Sequence, residues 1–113
     1  MIDVGVRQFF GLSRFALLKG MPREELERLR HQKWVPDPDV VVGSRSGWSL
    51  PCIQHFTPYG RPFRRAPILF YDDESTMLRR YGLAGDVFWA QIAAGRIGNP
   101  VAWVDGQPGW EKE

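Results

Sequence analysis

Residues 35–48 read VPDPDVVVGSRSGW, and residues 97–110 read IGNPVAWVDGQPGW. Each stretch has a proline, a short β-prone run, a turn rich in small polar residues and then Gly-Trp. Valine is enriched in strands, whereas glycine and serine favour turns. Both stretches therefore predict a β-hairpin that leads into a tryptophan.

The similarity extends beyond the hairpins when the chain is shifted by 62 residues, the spacing of the two stretches. Six positions between residues 13 and 48 are identical to their counterparts, among them Gly20, Pro38 and Trp48, where chance would supply about two. This pattern indicates an internal repeat. The alternative is a pair of unrelated hairpins that both require Gly-Trp.

The first copy predicts a helix, a tight turn, a second helix, the hairpin and a last helix. Ser13 can cap the first helix, and Gly20 can end it. Pro22 begins a second helix over residues 22–33, with glutamates near its start and basic residues near its end, as the helix dipole favours. Ser49 can cap the last short helix.

This order of elements is carried by GMPREELERLRHQKWVPDPDVVVGSRSGWSLPCI, residues 20–53. It resembles the winged helix-turn-helix of the MerR and excisionase-like (AlpA-like) DNA-binding proteins. The resemblance covers residues 12–56 and departs from the usual pattern at Pro22, where serine is usual. It implies an α+β, mostly helical fold, built from two winged helix-turn-helix-like units in tandem.

The expected first unit occupies residues 1–56, and a basic Pro/Gly/Arg linker follows over residues 57–67. The second, degenerate unit occupies residues 68–113 and lacks the last helix. Lys and Arg outnumber Asp and Glu by 11 to six in residues 1–66, whereas acids outnumber bases by seven to four in residues 67–113. The front of the chain is therefore the part that would attract a polyanion.

The resemblance implies that the second helix enters the major groove of DNA, while the hairpin, or wing, contacts the backbone or minor groove. Arginine offers paired donors to guanine or phosphate, and lysine suits phosphate. In the linker, Gly60-Arg61-Pro62 resembles the core of an AT-hook, a minor-groove arm. The candidate DNA-binding residues are Arg23, Arg28, His31, Lys33, Ser44, Arg45, Arg61, Arg64 and Arg65. The alternative is a set of solvated charges that pair along the helix.

The second copy lacks this basic character. Trp89 occupies the position of Glu27 and is flanked by alanines, so it is a candidate for apolar contact with the first unit, a second copy of the chain or another protein. Asp72, Asp73 and Glu74 directly precede a helix, where negative charge offsets the helix dipole.

The sequence thus predicts a small sequence-specific DNA-binding regulator, a repressor or an excisionase-like factor of bacteriophage type, with double-stranded DNA as its partner. The alternative is a phage-type protein that uses the winged fold to bind and modulate a host protein, with no DNA role. The second unit is the candidate surface for a homodimer or a host protein.

The sequence contains no nucleophile–base pair, phosphate-binding glycine loop or metal-ligand spacing. We therefore expect no catalytic residues, no metal, no cofactor and no enzyme activity. With one cysteine, no signal sequence and no apolar run of about 18 residues, we expect a cytoplasmic protein without a membrane span.

Overall fold

Both predicted hairpins are present, and they share one sheet. The structure is a computed structural model, and it describes residues 7–58, 60 and 67–112. Within those ranges the elements follow in this order: β1 (Arg7–Phe9), α1 (Leu12–Leu18), α2 (Arg23–His31), β2 (Val40–Val42), β3 (Arg45–Gly47), α3 (Leu50–His55), β4 (Leu69–Asp73), α4 (Glu74–Tyr81), α5 (Gly85–Ala93), β5 (Ala102–Val104) and β6 (Gln107–Glu111).

The sheet has the strand order β1-β5-β6-β4-β2-β3. The hairpins β2–β3 and β5–β6 are antiparallel, and β4 is antiparallel to β6. By contrast, β1 runs parallel to β5, and β4 runs parallel to β2. A further antiparallel bridge between Phe10 and Trp48 brings the two edges together, so the sheet is nearly closed into a barrel.

The predicted fold class is therefore wrong. We expected a mostly helical chain with two winged units in tandem, whereas the strands of the two halves lie side by side in one mixed, barrel-like sheet. A lone two-stranded hairpin is marginally stable in water. Here each hairpin gains a parallel neighbour from the other half, which also pairs its exposed backbone groups.

The predicted linker at residues 57–67 falls largely outside the described residues, so the domain boundaries stay a prediction. In the described part of the chain, no helix follows β6. Among the described helices, none combines the length and the apolar character needed to cross a membrane.

The 62-residue spacing recurs in the hydrogen bonds between the halves. The backbone N–H of Arg7 donates to the carbonyl of Val101 at 3.2 Å, and that of Leu69 donates to the carbonyl of Asp39 at 3.1 Å. Adding 62 to the first donor gives the second donor, and adding 62 to the second acceptor gives the first acceptor. The two hydrogen bonds are therefore equivalent when the halves are exchanged. This reciprocity is the pattern of an approximate two-fold axis.

Each tryptophan closes one helical lobe. Trp48 is fully buried among α1, α2 and α3, and Trp110 is buried against α4 and α5. The indole N–H of Trp48 donates to the carbonyl of Pro36, and that of Trp110 donates to the carbonyl of Gly98, both at 2.9 Å. A third core fills the barrel between the lobes; it consists of Phe9, Val40, Val42, Tyr71, Ala102 and Val104.

The barrel interior also explains the glycine that precedes each tryptophan. A Cβ atom added to Gly47 would lie 2.7 Å from a methyl group of Val104, and one added to Gly109 would lie 2.7 Å from a methyl group of Val42. Each valine belongs to the other half of the chain. The phrase Gly-Trp therefore occurs twice because glycine lets the halves approach inside the barrel and tryptophan seals the adjacent lobe.

Several local predictions can be compared with the helix ends. The Ser49 cap is confirmed, because its hydroxyl accepts a hydrogen bond from the N–H of Cys52 at 3.3 Å. The Ser13 cap is wrong, since α1 begins at Leu12 and its N-cap is Gly11, two residues before Ser13. The second helix begins at Arg23, and Pro22 serves as its N-cap.

The acidic cluster at the start of α4 acts as the dipole argument predicts. Asp73 is the N-cap and accepts a hydrogen bond from the N–H of Thr76 at 2.9 Å. Hydrogen bonds from the Thr76 side chain and backbone hold the pKa of Asp73 below its ordinary value. The neighbouring Asp72 is buried and pairs with Arg80 at 2.7 Å and with Lys112 at 3.7 Å.

The contact between Gly47 and Val104 gives a test of the barrel that the two halves share. We expect Gly47→Ala to lower the free energy of unfolding by about 1–3 kcal/mol, because the added methyl overpacks the interior. Val104→Ala alone should cost about 2 kcal/mol through lost apolar burial. Since Val104→Ala makes room for the new methyl, the double variant should be more stable than the sum of the single costs, by about 1 kcal/mol.

Chemical denaturation of the four proteins measures this coupling. Gly85→Ala is the matched control, because a Cβ atom there meets nothing within 4 Å. Strictly additive losses would show that Gly47 and Val104 do not face each other.

Candidate nucleic-acid interface

A groove of about 720 Å³ lies between α2, the β2–β3 turn, the start of α1 and the β5–β6 turn. It is formed mainly by the first half of the chain, and the second half contributes one edge. The polar and charged side chains that line it are Ser13, Arg23, Glu27, Arg30, His31, Lys33, Ser44, Arg45, Ser46 and Asp105. Four of these are Lys or Arg and two are acids, so the groove attracts anions.

The helix α2 presents a charged face to the groove because its apolar residues point the other way. Leu26 and Leu29 are fully buried in the first lobe. Arg23, Glu27 and Arg30 are exposed. Glu27 and Arg30 follow Arg23 by four and seven residues, which places all three on one helical face. The Nε of Arg23 lies 3.1 Å from Oε1 of Glu27, with both side chains about half exposed. Such a surface pair contributes little to stability and is readily exchanged for a ligand.

Arg30 is held in place by two neighbours in the first half. Its guanidinium lies over the Trp48 ring, 5.1 Å from the ring centre. Its Nη2 also donates to the hydroxyl of Ser46 at 3.3 Å. Arg30 was not among the predicted DNA-binding residues, although its position one helical turn beyond Glu27 was the available signal.

Two residues of the groove have an uncommon backbone conformation. Among the described residues, the non-glycine positions with positive φ are Lys33, at 64°, and Asp105, at 48°. A left-handed conformation costs an ordinary residue on the order of 1 kcal/mol. Gly95, with φ of 78°, stands 62 residues beyond Lys33. The first half therefore carries lysine at a backbone position where glycine is favoured and where the second half has glycine.

Asp105 brings the second half of the chain to the edge of the groove. Its Oδ2 accepts a hydrogen bond at 3.0 Å from the N–H of Gly11, a helix cap without a side chain. The arrangement is reversed at the other end of the barrel, where Asp73 supplies the carboxylate and Gly43 faces it. At each site one half supplies an Asp, and the facing position is a glycine because a Cβ atom there would collide with the carboxylate.

Five of the predicted DNA-binding residues meet in this groove, namely Arg23, His31, Lys33, Ser44 and Arg45. Arg28 does not line the groove. Its guanidinium donates to Glu25 and to Oε1 of Gln32, on a different side of α2 from the groove. The predicted linker residues Arg61, Arg64 and Arg65 lie outside the described residues. Asp105 was missed, because nothing in the local sequence shows that the second hairpin turn reaches α1.

Trp89 packs within its own lobe. Its ring centre lies 5.7 Å from that of Trp110 and 5.9 Å from that of Phe88, and the side chain is partly buried. Its predicted role in contact with another protein stays a prediction.

Comparison with models of known families, with curated proteins and with solved structures finds no match to this chain. Within the described residues, no group of three or more His, Cys, Asp or Glu side chains could hold a metal ion.

The contact between Asp105 and Gly11 can be tested by paired substitutions. We expect Asp105→Ala to lower the free energy of unfolding by about 1 kcal/mol, because the amide at the start of α1 loses its acceptor. Asp105→Asn should retain most of the stability, since asparagine keeps an acceptor oxygen and tolerates a left-handed backbone. Urea denaturation distinguishes the two variants, and an equal effect of both would contradict this role.

Proposed function

We propose that this chain binds double-stranded DNA through the groove between α2 and the β2–β3 turn. The observation that carries the proposal is the meeting of four basic side chains from two separate elements in one open groove, namely Arg23, Arg30, Lys33 and Arg45. Cations clustered on one face are the electrostatic footprint of a nucleic-acid-binding protein.

The cations at the ends of the groove contact the phosphates of the DNA in this proposal. Arg45 begins β3 directly after Ser44 in the hairpin turn, where small and exposed neighbours leave its guanidinium accessible. Lys33 follows the end of α2 in the left-handed conformation described above. That conformation is the one that the end of α2 requires, since the N–H of Lys33 donates to the carbonyl of Arg30 at 3.0 Å and that of Trp34 to the carbonyl of Leu29 at 2.9 Å. The presence of lysine where glycine is favoured is consistent with a use for its ammonium group.

The exposed face of α2 contacts the base edges in this proposal. The major groove of B-form DNA is wide enough to admit an α-helix. Arg23 can bond the acceptor edge of guanine, and Glu27 can accept from the amino group of cytosine. His31, on the last turn of α2, can bond either a base edge or a phosphate.

The groove favours duplex DNA over other nucleic acids. Single strands are bound by stacking their bases on accessible aromatic rings. Among the described lining residues, Trp48 is the large aromatic side chain, and it is fully buried. Duplex RNA has a major groove too deep and narrow for a helix to read.

The role of such binding, as a repressor or an excisionase-like factor, stays a prediction from the sequence. So does the alternative, in which the chain binds a host protein and has no DNA role. Detectable binding to duplex DNA is the first observation that separates the two.

Lys33 gives a test in which stability and binding move in opposite directions. We expect Lys33→Gly to raise the free energy of unfolding by about 0.5–1 kcal/mol, because glycine adopts positive φ without steric cost. The same change should weaken binding to a labelled random-sequence duplex and reduce the salt slope by about one counterion. Arg45→Ala should weaken binding similarly without the gain in stability.

Fluorescence anisotropy across a salt series, together with urea denaturation, measures both effects. Arg28→Ala is the matched control, since Arg28 lies on the same helix but does not line the groove. The absence of any duplex binding by the parent protein at about 50 mM salt would overturn the proposal. Equal losses of affinity for Arg28→Ala and Arg45→Ala would show that the groove is not the DNA-binding site.

A further inference from the structure

The second half repeats the backbone of the groove but not its charges. Helix α5 has nine residues, as α2 has, and begins 62 residues later. The β5–β6 turn likewise stands where the β2–β3 turn stands in the first half. The counterparts of Arg23, Arg30, Lys33 and Arg45 are Gly85, Ile92, Gly95 and Gln107.

Apolar packing has replaced charge on this second face. Ile92 is buried in the second lobe, whereas its counterpart Arg30 is exposed. Trp89, the counterpart of Glu27, lies partly buried against Trp110. None of these side chains can contact a phosphate by charge, so the face cannot reproduce the proposed DNA contacts.

We infer that one chain has, within its described residues, a single DNA-binding face and by itself occupies one site without two-fold symmetry, although its fold has an approximate two-fold. This inference rests on the proposed function of the groove. Dimers with one reading element on each chain bind half-sites related by symmetry, about one helical turn apart. The approximate two-fold of this fold lies within one chain, and of its two equivalent faces in the described residues only the first is cationic, so one chain by itself cannot read two such half-sites.

Selection from a random pool of duplexes tests the form of the site. We expect the motif that each chain occupies to be contiguous and to lack two-fold symmetry. With an excess of a selected duplex of about 20 base pairs, two helical turns, native mass spectrometry should show one duplex for each chain.

A gain of function tests the cause of the asymmetry. The variant carrying Gly85→Arg, Gly95→Lys and Gln107→Arg places three of the four cations on the second face. Added Cβ atoms at Gly85 and Gly95 meet nothing within 4 Å, Gln107 is exposed, and lysine already occupies the counterpart of Gly95. We expect this variant to bind two duplexes for each chain, provided that circular dichroism and thermal unfolding show the parent fold.

The outcomes separate the inference from the function on which it rests. A symmetric motif bound by one chain for each duplex, or two duplexes on the parent chain, would overturn the inference and leave DNA binding in place. A folded triple variant that still binds only one duplex would also overturn it, because missing cations would not then explain the single face. No binding by the parent protein would overturn both.

Discussion

Parallel pairing between the halves is the constraint on which the rest of this structure depends. β1 lies beside β5 with Arg7 opposite Ala102, and β4 lies beside β2 with Leu69 opposite Val40. The two registers are the same register shifted by 62 residues. A parallel pair cannot be closed by a hairpin turn and needs a long connection. Among the described elements, β3 and α3 separate β2 from β4 in the chain, and both helical pairs separate β1 from β5. Because α1–α2 joins β1 to β2 and α4–α5 joins β4 to β5, the pairing also fixes where each lobe lies on the barrel.

The edge that the second half contributes to the basic groove is a consequence of that pairing. The β5–β6 turn reaches α1 only because β5 pairs with β1, and Asp105 then satisfies the amide of Gly11 at 3.0 Å. The two halves keep the same backbone but use it differently. The first half accepts lysine at a left-handed position and exposed cations on α2, at some cost in stability. The second half has glycine and buried apolar residues at the matching positions, Gly95 and Ile92. One half thus exposes charge at these positions, while the other adds to the core.

Local features of the fold could be predicted from the sequence, because their causes are local. Valine-rich runs with glycine turns gave both hairpins, and Ser49 followed by Pro51 gave the capped α3. β1 was missed because three residues, Arg7–Phe9, are too short to show an alternating pattern. The barrel was missed because parallel pairing between distant strands leaves no local signal. Five of the nine candidate DNA-binding residues line the groove, since helical spacing and turn position are readable. Arg30 and Asp105 depended on packing around Trp48 and on pairing between the halves.

Native-state hydrogen exchange tests the shared barrel most directly. The amide of Gly43 donates to Tyr71 and that of Asp105 donates to Phe9, both at 3.1 Å and both across the halves. If the halves form one cooperative unit, both amides should be protected by the free energy of global unfolding, as should the central amides of α2 and α5. If the amides of one half exchanged through an opening of clearly lower free energy than those of the other half, the shared barrel would be contradicted.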